Sequence, residues 1–214
     1  MLGFGLRCLL AYLMGSLLGS LIVGRIAGGI DIRTQGSGNA GGTNALRTQG
    51  KVFALWVMLI DVGKGVTAVT LLPQLPLGFL GPDTVGPAWT ACSCGALAVV
   101  GHVYPVFFGF RGGKGAATFV GATSVLSPLA MLLGLLVWVF TLMLTGYVGL
   151  ATVLAAWTVA VYALILAGPG AAISAFAFGM ACFILYTHRS NLQRLLTGNE
   201  NRFERAMLLR RRGD

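Results

Sequence analysis

Residues 115–187, GAATFVGATSVLSPLAMLLGLLVWVFTLMLTGYVGLATVLAAWTVAVYALILAGPGAAISAFAFGMACFILYT, run for 73 positions without one aspartate, glutamate, lysine or arginine. A hydrocarbon core of about 30 Å is crossed by ~20 helical residues, so this stretch reads as several consecutive membrane helices. Breakers at Ser127-Pro128, Thr145-Gly146 and Gly168-Pro169-Gly170 divide it into 115–126, 129–144, 147–167 and 171–187. Working outward, three more apolar segments precede it, at 2–27, 51–72 and 88–109. The first has Arg7 near its start, as a signal peptide would, but Arg25 flanks its far end and further spans follow, so a retained crossing is expected.

Composition agrees with this reading. The 214 residues are 56% hydrophobic and only 10% charged, with a mean hydropathy of +0.83, which excludes an ordinary soluble domain. The net charge of +9 does not mark a nucleic-acid binder, because the basic residues sit at the ends of apolar segments instead of forming a patch interleaved with aromatics. Cys8, Cys92, Cys94 and Cys182 lie in apolar stretches without metal-site spacing and read as packing residues.

Segment 115–126 is the ambiguous piece, since a dozen residues reach roughly 18 Å at 1.5 Å per residue. Charge parity decides how it is read. Arg33, Arg47 and Lys51 follow the first span, and Arg189, Arg194, Arg202, Arg205, Arg210, Arg211 and Arg212 follow the last, while the connection 73–87 carries Asp83 and no lysine or arginine. The positive-inside rule then requires an odd number of crossings. The expected architecture is all-α: a polytopic bundle of seven transmembrane helices, N-terminus outside and C-terminus cytoplasmic. It forms a single domain over 1–214, with a helix bundle at 1–190, cytoplasmic motif loops at 31–50 and 110–115, and a basic cytoplasmic tail at 191–214 in which a short amphipathic surface helix fits.

Two glycine-rich, basic segments stand out on that inner face: GSGNAGGTNALRTQGK (36–51) and FRGGKG (110–115). Glycine lets backbone N–H groups approach a ligand, and Ser37, Thr43, Arg47 and Lys114 supply the donors and charge that phosphate oxygens take up. Gly36 to Gly41 matches GxGxxG, but the dinucleotide fingerprint requires a βαβ unit and this loop joins membrane helices. Walker A fails too, because Gly115 follows Lys114 where serine or threonine is required. Asp61 and Lys64 share a helix face at bilayer depth, either as an ion pair ordering the bundle or as substrate contacts. Gly15, Ser16, Gly19 and Ser20 form a small-residue stripe suited to close helix packing. His102 is either structural, as a cap or a cross-helix partner, or functional, whereas His188 and Asn191, at i and i+3 where the last span ends, point to function.

The segments GSGNAGGTNALRTQGK, DVGKG, GHVYPVFFGFRGGKGAAT and HRSNLQRLLTGNE, in this order, resemble the bacterial acyl-phosphate-dependent glycerol-3-phosphate acyltransferases of the inner membrane. Gly42 stands where that family's alanine is expected. The resemblance implies transfer of a fatty acyl group from acyl phosphate to the 1-hydroxyl of sn-glycerol 3-phosphate, giving lysophosphatidic acid and phosphate as the first step of phospholipid synthesis. It implies a site of Ser37, Thr43, Arg47, Lys114, His188 and Asn191, with Gly38, Asn39, Asn44, Gly112 and Gly113 as further substrate- or phosphate-binding positions. Lys114, His188 and Asn191 would act by positioning and electrostatics. No metal or organic cofactor is implied, and the partners are the two substrates, membrane lipid and the enzyme that produces acyl phosphate. Without a carboxylate base evident beside His188, a substrate-assisted mechanism is expected. A membrane transporter of a phosphorylated solute is the alternative from another class, and a lipid head-group phosphotransferase is a further one.

Overall fold

A computed structural model describes residues 1–82, 84–204 and 207–208. Asp83, Arg205, Arg210, Arg211 and Arg212, which bear on the expected topology, lie outside the described residues. The described chain is helical, without strands among those residues, and divides into two compact units, Met1–Leu126 and Ser127–Asp214.

The first unit contains α1 (Leu2–Gly15), α2 (Gly19–Ile26), α3 (Gly42–Gln49), α4 (Lys51–Thr70), α5 (Pro87–Val103) and α6 (Ala116–Leu126). Helix α4 is its hub and touches the other five. Glycines let the helices approach at backbone distance. A Cβ on Gly15 would strike the backbone of Ala98 and one on Gly101 the carbonyl of Tyr12, so α1 and α5 interlock reciprocally. Gly65 against the Thr118 carbonyl and Gly121 against that of Val62 do the same for α4 and α6.

The segment 2–27 is not one continuous helix. It breaks after Gly15 and resumes at Gly19 with a bend of 46°. A break inside a membrane leaves carbonyls and amides that lipid cannot satisfy. Lys64 and Asp61 satisfy them here. The Lys64 ammonium donates to the carbonyls of Gly15 (2.8 Å) and Leu17 (2.9 Å), at the negative end of α1. The Asp61 carboxylate accepts the Gly19 amide (3.1 Å), at the positive end of α2. The two side chains pair at 3.0 Å, so each charge complements one helix dipole and the other charge. Of the two roles open for this pair in the sequence, ordering the helices is the one its contacts fill.

The second unit contains α7 (Pro128–Thr145), α8 (Val148–Ala167), α9 (Ala172–Thr187) and α10 (Arg189–Leu196). Proline at the first position of α7 and left-handed Gly146 at its end explain why the helix starts and stops there. Gly134 packs on the Ala155 carbonyl, joining α7 to α8, and Trp157 meets Phe178 edge-on at 5.6 Å, joining α8 to α9. Leu129, Leu132, Leu136 and Phe140 form an exposed apolar stripe on α7, as a lipid-facing helix should. Beyond α10 the chain returns to the α7–α8 turn, where Phe203 N–H donates to the Gly146 carbonyl (2.8 Å) and Arg202 to the Tyr147 hydroxyl (2.8 Å). Among the described residues of the tail, α10 is the α-helix.

Among the described residues, four helical segments, Lys51–Gln74, Pro87–Phe108, Pro128–Thr145 and Val148–Ala167, are long and apolar enough to cross a membrane, or up to six if each of the bent pairs α1–α2 and α9–α10 is one span. Helix α6 has 11 residues, a rise of roughly 16 Å.

Candidate active site

In the first unit the loop after α2 is built around Asn44. This side chain is 1% exposed. Its carboxamide oxygen accepts the Ser37 amide (2.9 Å), and its nitrogen donates to the carbonyls of Ile32 (2.9 Å) and Gln35 (3.0 Å). Asn44, expected at a phosphate, therefore holds the loop itself. Gly36 and Gly38 adopt left-handed φ of 57° and 71°, and a Cβ on Gly36 would meet the Asn44 oxygen, so glycine is required where the chain wraps this amide. Underneath, Ile32, Ala45, Ala54 and Val57 form a buried apolar cluster, and buried Ser20 of α2 donates to the Ala40 carbonyl (2.9 Å).

This frame presents polar groups outward. Ser37, Gly38, Thr43 and Arg47 are exposed and Asn39 is half-buried. Thr43 and Arg47 stand one turn apart on the same face of α3. The N-cap of α3 is Gly41, and no side chain caps the helix there. Gly42, the departure from the family pattern, is packed by the flexible Met58 side chain, whose sulfur lies where a Cβ would go.

The second segment folds back on the end of α5. Gly112 N–H donates to the Val103 carbonyl and Gly113 N–H to that of His102, both at 3.1 Å. These amides close the α5 terminus. A Cβ on Gly112 would strike the His102 carbonyl and one on Gly113 the His102 ring, so the glycines are there for close approach. His102 is 2% exposed and its Nδ1 lies 3.4 Å from the Asp61 carboxylate, which makes it the cross-helix partner. Lys114 follows this fold-back and is half-buried.

Arg33 joins the two segments. Its Nε and Nη2 grip the Asp31 carboxylate at 2.8 to 3.2 Å, and its Nη1 donates to the carbonyls of Phe108 and Arg111, both at 3.1 Å. The guanidinium holds the Asp31 carboxyl below the usual carboxylate range, and Asp31 raises Arg33 in turn. A carboxylate so depressed contributes fully above its ordinary pKa and is lost only as pH falls through the lower folded value, so the clamp persists further into acid than a contact with an ordinary carboxylate. In the sequence Arg33 is simply one more positive charge on an inner loop. The signal that could have found it is the Asp31-Ile-Arg33 spacing beside the loop.

In the second unit His188 ends α9 and is 5% exposed. Its Nδ1 lies 2.9 Å from the Ile184 carbonyl, and a carbonyl only accepts, so Nδ1 carries the proton and Nε2 is the acceptor of the neutral ring. Asn191 packs against Gly149, where a Cβ would collide with it. Its nitrogen donates to the Glu200 carboxylate (2.6 Å), whose other oxygen takes Arg194 Nε (2.7 Å). Glu200 lies nine positions after Asn191, and the turn that follows α10 brings it back to that helix.

The chain is 39% identical to the glycerol-3-phosphate acyltransferase of Halalkalibacterium halodurans over 198 residues, 91% of this chain and 93% of that protein. It is 43% identical to the one of Synechococcus elongatus over 195 residues, 91% of each. Its fold matches crystal structures of PlsY (YgiH), an integral membrane glycerol 3-phosphate acyltransferase. The glycerol 3-phosphate form has a TM-score of 0.80 and 36% identity over 94% of this chain and 95% of that one, and the lysophosphatidic acid form has 0.78 and 35%. Residues 6–198 match the family described as glycerol-3-phosphate acyltransferase, so the chain belongs to that family of integral membrane acyltransferases.

Proposed function

We propose that this enzyme transfers a fatty acyl group from acyl phosphate to the 1-hydroxyl of sn-glycerol 3-phosphate, releasing lysophosphatidic acid and inorganic phosphate. The observation that carries this reading is the pairing, through Arg33, of two basic glycine-rich segments in one unit. Two phosphorylated substrates call for two such segments. That the related PlsY is described in glycerol 3-phosphate and lysophosphatidic acid forms supports the same acceptor and product here.

The hydroxyl oxygen attacks the acyl carbonyl carbon, a tetrahedral intermediate forms, and the C–O bond to phosphate breaks. The hydroxyl proton passes to an oxygen of the departing phosphate, so no protein base is needed. Arg47 and Lys114 offset the charge on phosphate oxygens, with Ser37, Thr43 and the uncapped first turn of α3 as hydrogen-bond donors. His188 and Asn191 of the second unit orient substrate. The alternative of a transporter for a phosphorylated solute draws on the intramembrane Asp61 and Lys64, on broken helices and on basic loops; of these, Asp61 and Lys64 are engaged in closing the α1–α2 break.

The reading is tested with purified protein in detergent, measuring lysophosphatidic acid and free phosphate together. Acyl phosphate should support turnover, and acyl-CoA or an acyl carrier protein thioester should not. Efficient use of acyl-CoA alone would sink the assignment, because the proposed proton acceptor belongs to the acyl phosphate.

The proposed setting is the bacterial inner membrane, with seven crossings, the N-terminus outside and both glycine-rich segments in the cytoplasm. Here α6 serves as a short crossing, supported by its close packing on α4 and by charge asymmetry between the loops. Single cysteines at positions 47 and 111 should be labelled only from inside, and one at position 83 only from outside. Inside labelling at 83 would overturn the seven-crossing topology.

A further inference from the structure

We propose that Arg33 is a positioning residue of the transfer reaction, a strap that holds the segment bearing Lys114 in register with the loop bearing Ser37, Thr43 and Arg47. The proposal rests on the acyl-transfer reading above. Arg33 is assigned no contact with substrate; it acts through the two segments it joins.

The strap has a strained turn to hold. Phe110 is the single non-glycine residue with positive φ (58°) among the described residues, and it lies between Phe108 and Arg111, the two residues whose carbonyls take Arg33 Nη1. A bulky residue in the left-handed region persists only where its surroundings over-determine it. Hydrogen bonds from several sides do so: the Phe110 amide on the Pro105 carbonyl (2.9 Å), the Gly112 and Gly113 amides on the α5 terminus, and Arg33 on the Phe108 and Arg111 carbonyls. Of these, Arg33 alone reaches in from the first loop. The other side of its guanidinium is anchored two residues away on Asp31, which also accepts the Arg33 amide (2.9 Å) and thereby caps the short 3₁₀ turn Ile32–Thr34. Asp31, Arg33 and the turn form a rigid bracket, with the Nη1 edge aimed at the second segment. Lysine lacks the fork needed to hold a carboxylate on one edge and two carbonyls on another.

Two measurements test this. Amide hydrogen exchange reads the strap without reference to activity. In Arg33→Ala, exchange across residues 106–113 should accelerate by about 10-fold or more while α4 and α5 keep their protection, as expected of a local opening. Unchanged exchange there would overturn the strap. A double-mutant cycle reads the catalytic consequence. Arg33→Ala should lower kcat/KM by at least ~10-fold in the wild-type background but by no more than ~2-fold in Lys114→Ala, because a residue that acts through Lys114 has little left to position once it is gone. Arg33→Lys, which keeps the charge and guards against simple misfolding, should behave like Arg33→Ala. Additive losses, or full activity in Arg33→Lys, would show a generic structural or electrostatic role and overturn the proposal. If wild-type protein transfers no acyl group at all, the functional reading falls and the catalytic half of the proposal with it, while the exchange result still decides the strap.

Discussion

Lys114→Ala is expected to lower turnover by at least ~100-fold while the protein inserts and purifies normally, and Arg47→Ala should do the same. A charge-assisted contact to phosphate in a partly dehydrated site contributes several kcal/mol, and about 2.7 kcal/mol of transition-state stabilisation corresponds to two powers of ten. Asn44 holds the first segment, and the Gly112 and Gly113 amides fold the second onto α5; these contacts are expected to survive truncation of the Lys114 or Arg47 side chain. His188→Ala should also be severe, since it deletes an imidazole whose tautomer is set by the Ile184 carbonyl. Steady-state kinetics at saturating concentrations of both substrates decide the matter. Near-wild-type turnover in Lys114→Ala would reduce the Gly-Gly-Lys segment to a helix connection and remove the centre of the phosphate argument.

The largest effect on stability is expected at Lys64. Lys64→Met strips the ammonium from the Gly15 and Leu17 carbonyls and leaves the Asp61 carboxylate, 0% exposed, without its cation. Breaking a buried pair from one side typically costs ~3–5 kcal/mol, because the surviving charge has no water to return to. Asp61→Asn combined with Lys64→Met removes that charge and keeps a group able to accept the Gly19 amide, so the double variant should recover much of the loss. Thermal melting in detergent distinguishes the cases. If Lys64→Met melts with the wild type, the pair does not close the α1–α2 break, and the intramembrane charges become available again as a transport feature.

The alternation of apolar stretch and breaker is what the sequence by itself determined. Proline and glycine act on the local backbone, so Pro128, Gly146 and Gly168 mark the ends of α7 and α8 in the string as they do in the fold. The long uncharged run requires a lipid environment whatever its tertiary arrangement. The family was legible for a similar reason: motif order along the chain survives without knowledge of contacts. Exposed Ser37, Thr43 and Arg47 could also be named in advance, since residue type and loop position suffice for a surface donor.

Other roles depended on partners distant in sequence. Asn44 looks like any loop amide until the carbonyls of Ile32 and Gln35 close around it. That the Gly112 and Gly113 amides meet the last carbonyls of α5 is likewise invisible in the string. The span 2–27 reads as continuous because its break is stabilised by residues more than forty positions away, and nothing local in Gly15–Gly19 announces a cation and an anion waiting on α4. Arg33 is the clearest case. As a charge on an inner loop it reports only topology; as a planar fork between Asp31 and two carbonyls some 75 residues on, it joins the two segments, because hydrogen-bond geometry is set by where the chain returns and not by what precedes or follows a residue in the string.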